Sequence, residues 1–542
     1  MKEKKGWNER SFAHHRAPPS IQSLLSEVYA FELSLKNDPD DQKQISERSS
    51  MSYLNHGSFG DPYPSTLKLR QFYTDLCYRN PMVYHRSLVP ILVQRSKARL
   101  CDYLKIVKQR DGVVFAPISS SLFQVLASVN LREGDVILTT DTIYHSLVDA
   151  ISHLVAEKQL RWVKVETSIG SNSHEIFYNF QAAVKREVAA GNTIKLAVFD
   201  HISSKPTVLY PINSICQMCH ELHIPTLVDG AHVPGALPSH AILVEDTMAT
   251  FYAFTLHKWI NVPRGGASGG LWVNKKDIQS RYSSFIDMSK LVIQGGWVED
   301  NCDTTNMYLD ASKPGYLTDH LTQGIYDEST REYENILVLP HCLELVLENE
   351  AQFQKHAGAL KEYAVSSLAV AWALPYNEVH RWDTTTCEFG GSVVVPMLAI
   401  PLPTSKILAA ARFTVSDLVI SQQLKQLKHH LVLKLWTEYS IEVPIFVWKD
   451  QILGVRISFG RHVVVDDIRR LGDAVNRIIE QGLSLYRKHV FSISSKSLMI
   501  LFSQWLPRYQ YLIPGYYIPV YLYRPTTQLY TGICAPEPVF AL

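Results

Sequence analysis

The residue best placed to do chemistry in this chain is the lysine of Thr255-Leu256-His257-Lys258-Trp259. The apolar run Ala249-Thr250-Phe251-Tyr252-Ala253-Phe254 precedes it, and Pro263-Arg264-Gly265 follows. Desolvation by such neighbours lowers an amine's pKa, and a neutral amine is what forms an imine with a carbonyl. Alone, the same lysine reads better as a surface residue between two strands. An acid upstream changes that balance. In Thr226-Leu227-Val228-Asp229-Gly230-Ala231-His232 the aspartate ends an apolar strand. A carboxylate there can keep a pyridine nitrogen protonated, so that the ring draws electrons. It can also cap a helix or hold magnesium, but beside an imine-forming lysine the ring reading is the better one. Further upstream, Val113-Val114-Phe115-Ala116-Pro117-Ile118-Ser119-Ser120-Ser121 runs a strand into a serine-rich helix start. Free backbone N–H groups, hydroxyls and the helix dipole suit that turn to a phosphate, although serines also simply cap helices.

These groups need a scaffold that brings strand ends together. Between about residues 110 and 275, short β-branched runs at 113–115, 136–139, 162–165, 196–199 and 226–228 alternate with amphipathic stretches at 121–129, 146–156, 180–190 and 212–223. That alternation predicts an α/β fold with a large, mostly parallel sheet, whose ligands bind where strands end and helices begin. Residues 336–483 read as a smaller α+β domain, with helices at 337–350, 415–437 and 465–482 and strands at 392–400 and 454–459. Residues 1–50 read as an extension outside the catalytic core, with an amphipathic stretch at 21–35 and a solvated linker at 37–44. Residues 51–85 are expected to pack with the small domain, and residues 86–335 to form the large one. The tail, 484–542, is rich in Tyr, Pro and Ile, and too broken by Pro507, Pro514 and Pro519 to span a membrane.

Composition excludes several classes. With 542 residues and 46% hydrophobic content the chain can bury more than one core, so a one-motif binding module is not expected. Lys and Arg total 53 against 52 Asp and Glu, so net charge offers no footprint for nucleic acid or an anionic membrane. Eight irregularly spaced cysteines and the lack of an apolar leader behind the basic start point to a reducing, cytoplasmic setting. Cys216-x-x-Cys219-His220-x-x-His223 has the look of a zinc cluster, but one helix cannot wrap four ligands around an ion; these residues read as core packing, and no metal is expected. The glycine-rich 265–270 run enters a strand, which marks it as a turn rather than a dinucleotide loop.

The ordered series of motifs resembles the aminotransferase class V family of fold-type I pyridoxal 5'-phosphate (PLP) enzymes. Within that family it is similar to the isopenicillin N epimerase-like and hercynylcysteine sulfoxide lyase-like branch. The matching segments are Tyr53-Leu54-Asn55-His56-Gly57-Ser58-Phe59-Gly60, Asn80-Pro81 with Arg86, the serine turn, Thr140-Asp141 with Tyr144, and Asp200-His201-Ile202-Ser203-Ser204. Asp229-Gly230-Ala231-His232, His257-Lys258-Trp259, Ser329-Thr330-Arg331-Glu332-Tyr333 and Val455-Arg456-Ile457-Ser458 complete it.

The resemblance implies that Lys258 carries PLP as a Schiff base and moves the alpha proton. Asp229 would pair with the pyridine nitrogen and His232 would approach the phenolic oxygen. Ser119, Ser120, Thr255 and His257 would hold the phosphate, and Thr330 would reach the phosphate of a neighbouring subunit in a homodimer. Tyr144 would cover the ring or act as an acid. Arg456 would grip the carboxylate of a small amino-acid substrate. For His56 and His201 a substrate-side role and a place in the core are equally weighted. Ile118, Ser329 and Glu332 depart from the family pattern at the phosphate turn and the Thr330 motif.

Carbon–sulfur bond cleavage of the hercynylcysteine sulfoxide lyase type is the favoured outcome, with epimerisation, transamination and cysteine desulfuration as alternatives. Desulfuration needs a nucleophilic cysteine, and Cys387, far ahead of Arg456, reads as structural. A PLP-fold binding protein without activity is the non-enzyme alternative.

Overall fold

The computed structural model describes residues 21–41, 51–265, 268–291, 332–383, 393–411 and 417–482. Among them, seven strands form one sheet: β2 (Val113–Phe115), β3 (Val136–Thr140), β4 (Arg161–Val165), β5 (Ile194–Asp200), β6 (Thr226–Gly230), β7 (Phe251–Thr255) and β8 (Gly269–Val273). Their order is β2-β8-β7-β6-β5-β3-β4. The neighbours from β7 to β4 pair in parallel, and β8 runs antiparallel to both β7 and β2. β3, β6, β7 and β8 are buried along their whole length. Both faces of the sheet therefore need cover, which explains near-continuous apolar runs in place of strict alternation.

A second sheet, β11-β12-β9, joins β9 (Met397–Pro401), β11 (Ile445–Trp448) and β12 (Ile452–Ser458) in antiparallel register. The short β1 (Ser52–Tyr53) pairs in parallel with β10 (Ile441–Glu442). The helix Leu339–Trp372 ties the two layers together. Leu339, Cys342 and Leu343 at its start belong to the core of the large sheet, while Ala357, Leu360, Leu368 and Trp372 belong to that of the small one. It runs far beyond the 337–350 helix expected from periodicity, because its apolar stripe changes partners midway without interruption.

Two expectations for the start of the chain need correction. The helix Ile21–Ser34 buries Leu24, Leu25 and Val28 in the main core, and Phe31 stacks on Phe72 at 4.2 Å. Glu32 accepts two hydrogen bonds from Arg95 and one from Tyr73. The supposed linker is also anchored: Asp38 is buried and pairs with Lys68 at 2.7 Å, and Asp41 accepts from Ser65 through backbone and hydroxyl. Acidic side chains that read as solvated in sequence are here held by partners well removed along the chain. Thr330, Cys387, the tail 484–542 and residues 294–323 lie outside the described residues.

Candidate active site

β5, β6 and β7 are parallel neighbours, so their carboxyl ends meet at one edge of the sheet. Asp200 is in register with Asp229, and Asp229 with Ala253. Lys258 follows just after β7, and its Nζ lies 3.2 Å from His232 Nε2. Asp200, Asp229 and His232 are each only 4% exposed. His232 Nδ1 is buried and finds no hydrogen-bond partner among the described residues, a polar atom left over for a bound group.

Burial sets the electrostatics here. It lowers the Lys258 amine to about 8; Asp229 pulls it back up, Arg456 pushes it down and Asp200 pulls up more weakly. His232 is held well below the usual histidine range, first by burial and then by the charge of Lys258. Burial raises Asp229, against the Ala231 N–H and Lys258, which favour its ionised form. Asp200 stands well above the carboxylate range, because it is buried beside Asp229 with only Lys258 and the Thr142 hydroxyl to oppose. Burial beside a second carboxylate thus favours the neutral form of Asp200. Thr142 Oγ1 also lies 2.5 Å from the Tyr210 hydroxyl, itself 2.8 Å from Thr167 Oγ1.

A pH dependence follows for Lys258. Only the neutral amine attacks a carbonyl, and its fraction grows as pH rises to the pKa. The rate at which cofactor-free protein captures PLP is expected to rise about tenfold per pH unit below 8 and to level off above it. Stopped-flow absorbance across pH 6–11 measures this, and a rate that keeps rising to the ordinary lysine value of 10.5 would contradict it.

The serine turn adjoins the same edge. β8 runs antiparallel to both β2 and β7, so its first residue, Gly269, lies opposite Thr255, and the next, Gly270, opposite Phe115. Ala116 N–H donates to Gly269 O at 3.1 Å. The helix Ile118–Ser128 starts here with no side-chain cap, and Ser119 and Ser120 are exposed in its first turn. The open N–H groups and the two hydroxyls can receive an anion. His257 is tied to the Ser268 carbonyl at 3.3 Å and lowered by burial to about 4. The Thr255 hydroxyl donates to Ala231 O at 2.6 Å, so its proton is engaged by a backbone carbonyl.

Arg456, on β12 of the small sheet, is 1% exposed. It donates to Ser204 Oγ at 2.9 Å, Asn55 Oδ1 at 2.8 Å and Ser58 Oγ at 2.7 Å. All three acceptors are neutral, and among the described residues no carboxylate pairs with it. Burial lowers its pKa to about 10. A buried guanidinium without a counter-ion is an incomplete ion pair, and a substrate carboxylate fits its planar fork. The segment that carries Asn55 and Ser58 also reaches the lysine loop, because Gly60 N–H donates to His257 O at 2.9 Å. A Cβ at Gly60 would fall 1.9 Å from Lys258 O, so only glycine permits this approach.

The remaining candidates are placed differently. Tyr144 is 45% exposed just ahead of the helix His145–Lys158, its ring 4.2 Å from that of His145. His56 packs on Trp259 at 4.7 Å and on His462 at 5.6 Å, while its neighbours Asn55 and Ser58 take the Arg456 contacts. His201 Nδ1 lies 2.8 Å from the Tyr252 hydroxyl, and burial lowers its pKa to about 3. That ring is neutral and engaged beneath the strand ends. Cys216 and Cys219 are fully buried, and burial pushes the Cys216 thiol up to about 12. Among the described residues no group of three or more His, Cys, Asp or Glu could hold a metal ion, and no helix is long and apolar enough to cross a membrane. Asp200, Asn55, Ser58 and Ser204 also belong to the site, and their signal in the sequence is their place inside the family-like segments 53–60 and 200–204.

No family model matches the chain. Among curated proteins it is 23% identical over 507 residues to an L-cysteine desulfhydrase of Arabidopsis thaliana, covering 88% of this chain and 97% of that one. A solved cysteine desulfurase from Thermococcus onnurineus NA1, in its apo form, superposes with a TM-score of 0.56 at 16% identity, covering 80% of this chain and 95% of its own. A mutant of C-DES with glycine covalently linked to the PLP cofactor superposes with a TM-score of 0.52 at 15% identity, over 80% and 98%. The chain is similar over most of its length to an L-cysteine desulfhydrase and shares its fold with PLP-dependent enzymes, in keeping with its resemblance to the aminotransferase class V family. The family is PLP-dependent and has the fold-type I architecture described above. Lys258, Asp229, His232 and Arg456 converge from three separate segments on one sheet edge.

Proposed function

We propose that this chain is a PLP enzyme that cleaves a carbon–sulfur bond in cysteine or an S-substituted cysteine. The observation that carries the reading is one set of strand ends that joins an amine lowered to about 8, a buried carboxylate and a buried guanidinium with no carboxylate partner.

The residues present fit the cofactor. The orphaned His232 Nδ1 and the uncapped serine turn are polar groups in need of partners, and Lys258 can supply the neutral amine. Asp229 would hold the ring nitrogen, His232 the phenolic oxygen, and Ser119, Ser120 and His257 the phosphate. When bound, PLP supplies an electron sink for negative charge at the alpha carbon. Arg456 holds the substrate carboxylate, with Asn55, Ser58 and Ser204 fixing its fork. Lys258, steadied by His232, takes the alpha proton, and Tyr144 gives a proton to the departing sulfur.

The Arabidopsis relative is named as a cysteine desulfhydrase, which supports a sulfur amino acid as substrate. Hercynylcysteine sulfoxide is the finer version of the same reading, suggested by the motif series alone. The position of Thr330 in that series supports a homodimer with shared sites, and composition supports a cytoplasmic setting.

The test is to incubate holoenzyme with a panel of sulfur amino acids and identify products by mass spectrometry. Pyruvate, ammonia and a released sulfur compound are expected. An oxo acid with pyridoxamine phosphate, or alpha-deuterium exchange without turnover, overturns the lyase reading in favour of transamination or epimerisation. Tyr144→Phe is expected to lower kcat about 100-fold on thioether substrates, measured by steady-state kinetics.

A further inference from the structure

Asp200 is a second carboxylate at the ligand edge of the sheet, where a cofactor ring has one nitrogen to offer. It closes β5 in parallel register with Asp229 on β6. Side chains paired in register on neighbouring parallel strands point to the same face, about 5 Å apart. Val198 and Leu227, two positions back on each strand, confirm that face by packing into one core cluster. The two acids therefore lie side by side, each 4% exposed. Among the described residues neither has a salt-bridge partner.

Their hydrogen bonds differ. Asp229 Oδ1 accepts the Ala231 backbone N–H at 2.9 Å, a donor that favours an ionised carboxylate. Among the described residues Asp200 has only a distant hydroxyl: Thr142 Oγ1 lies 3.5 Å from its Oδ2 but 2.5 Å from the Tyr210 hydroxyl. The groups that face Asp200 are thus the Asp229 carboxylate, the Lys258 amine, the Thr142 hydroxyl and, beyond Thr142, the Tyr210 phenol. One amine cannot offset two buried anions, so one acid must keep its proton, and the acid without an N–H donor is Asp200.

We propose that Asp200 is a positioning residue that keeps its proton and presents a neutral acid to Asp229, so that the pair meets the cofactor's ring nitrogen with a single negative charge. The protonated acid donates to the Asp229 carboxylate and steadies it for the ring. The inference rests on PLP as the cofactor, but not on which bond the enzyme breaks.

The first test needs no cofactor. The infrared spectrum of cofactor-free wild type at pH 7 is expected to show the carbonyl stretch of a protonated carboxylic acid, and Asp200→Asn to lose that band. The second test is the pH profile of PLP capture. Asp200→Asn removes no charge and should leave the break at about 8, whereas Asp229→Asn removes a real anion beside Lys258 and should lower it by about one pH unit. In the third, PLP is titrated into each cofactor-free protein. Asp200→Ala should bind about tenfold more weakly, the value of one hydrogen bond to a charged group, and the amide of Asp200→Asn should restore the affinity.

A wild type without the band, an Asp200→Asn break that falls as far as that of Asp229→Asn, or wild-type affinity in Asp200→Ala overturns the proposal. Because the band is read from the wild type, its absence counts even where a variant does not fold. A wild type that captures no PLP defeats the cofactor reading instead, and the infrared band then still decides where the proton lies.

Discussion

Lys258→Ala protein is expected to leave gel filtration without the visible absorbance of bound cofactor, while wild type prepared in parallel keeps it. Turnover should fall by roughly three to four orders of magnitude, because the substitution removes both the attachment point and the base for the alpha proton. The fold should survive, since the lysine amine contacts His232 rather than the core. Relieving a buried, partly charged amine costs the folded state little. Circular dichroism and thermal melting check the fold, and absorbance and product formation check the role. A mutant that keeps the wild-type spectrum would falsify the assignment of this lysine.

The second large effect belongs to Arg456. Arg456→Met is expected to lower kcat/KM by roughly 100- to 1,000-fold, the loss of two charge-assisted hydrogen bonds to a substrate carboxylate. Stability should move in a different way. The guanidinium is fully buried among Ser204, Asn55 and Ser58, with no carboxylate among the described residues to offset its charge. Methionine of similar bulk removes that desolvated charge but leaves three polar groups short of a partner. These terms oppose each other, and the net change is expected within about 1 kcal/mol. Chemical denaturation of the cofactor-free protein measures the stability, and steady-state kinetics the activity. A drop in stability of several kcal/mol with intact kcat/KM would make Arg456 a structural residue instead.

Much of the scaffold was legible before the structure. The βα alternation marked the strands of the large sheet to within a residue or two at most ends, because a strand buried on both faces shows a short β-branched run between helix-length stretches. Lys258 and Asp229 were recognisable because each lies at or just beyond a strand end, where a parallel sheet opens to ligands. Other features were less visible. The helix Leu339–Trp372 looked short because one apolar stripe serves two cores in turn. The 37–44 segment looked solvated because the partners of Asp38 and Asp41, Lys68 and Ser65, lie more than twenty residues away. His56 and His201 were evenly balanced between substrate and core, and local sequence holds no information about which way a ring turns. Packing on Trp259 and a hydrogen bond with Tyr252 describe where those rings now lie.

Taken alone, the amino-acid sequence determined the sheet, the lysine at its edge and the acid one strand away, since hydrophobic period and strand ends are local properties of the chain. Only the tertiary structure decided which residues complete the site around them. Asn55 meets Arg456 across 401 residues of sequence, Ser204 across 252, and Asp200 faces Asp229 through the register of two parallel strands. Such contacts depend on how separately formed elements dock, and the docking is driven by burial of apolar surface that carries no record of which polar groups it brings together.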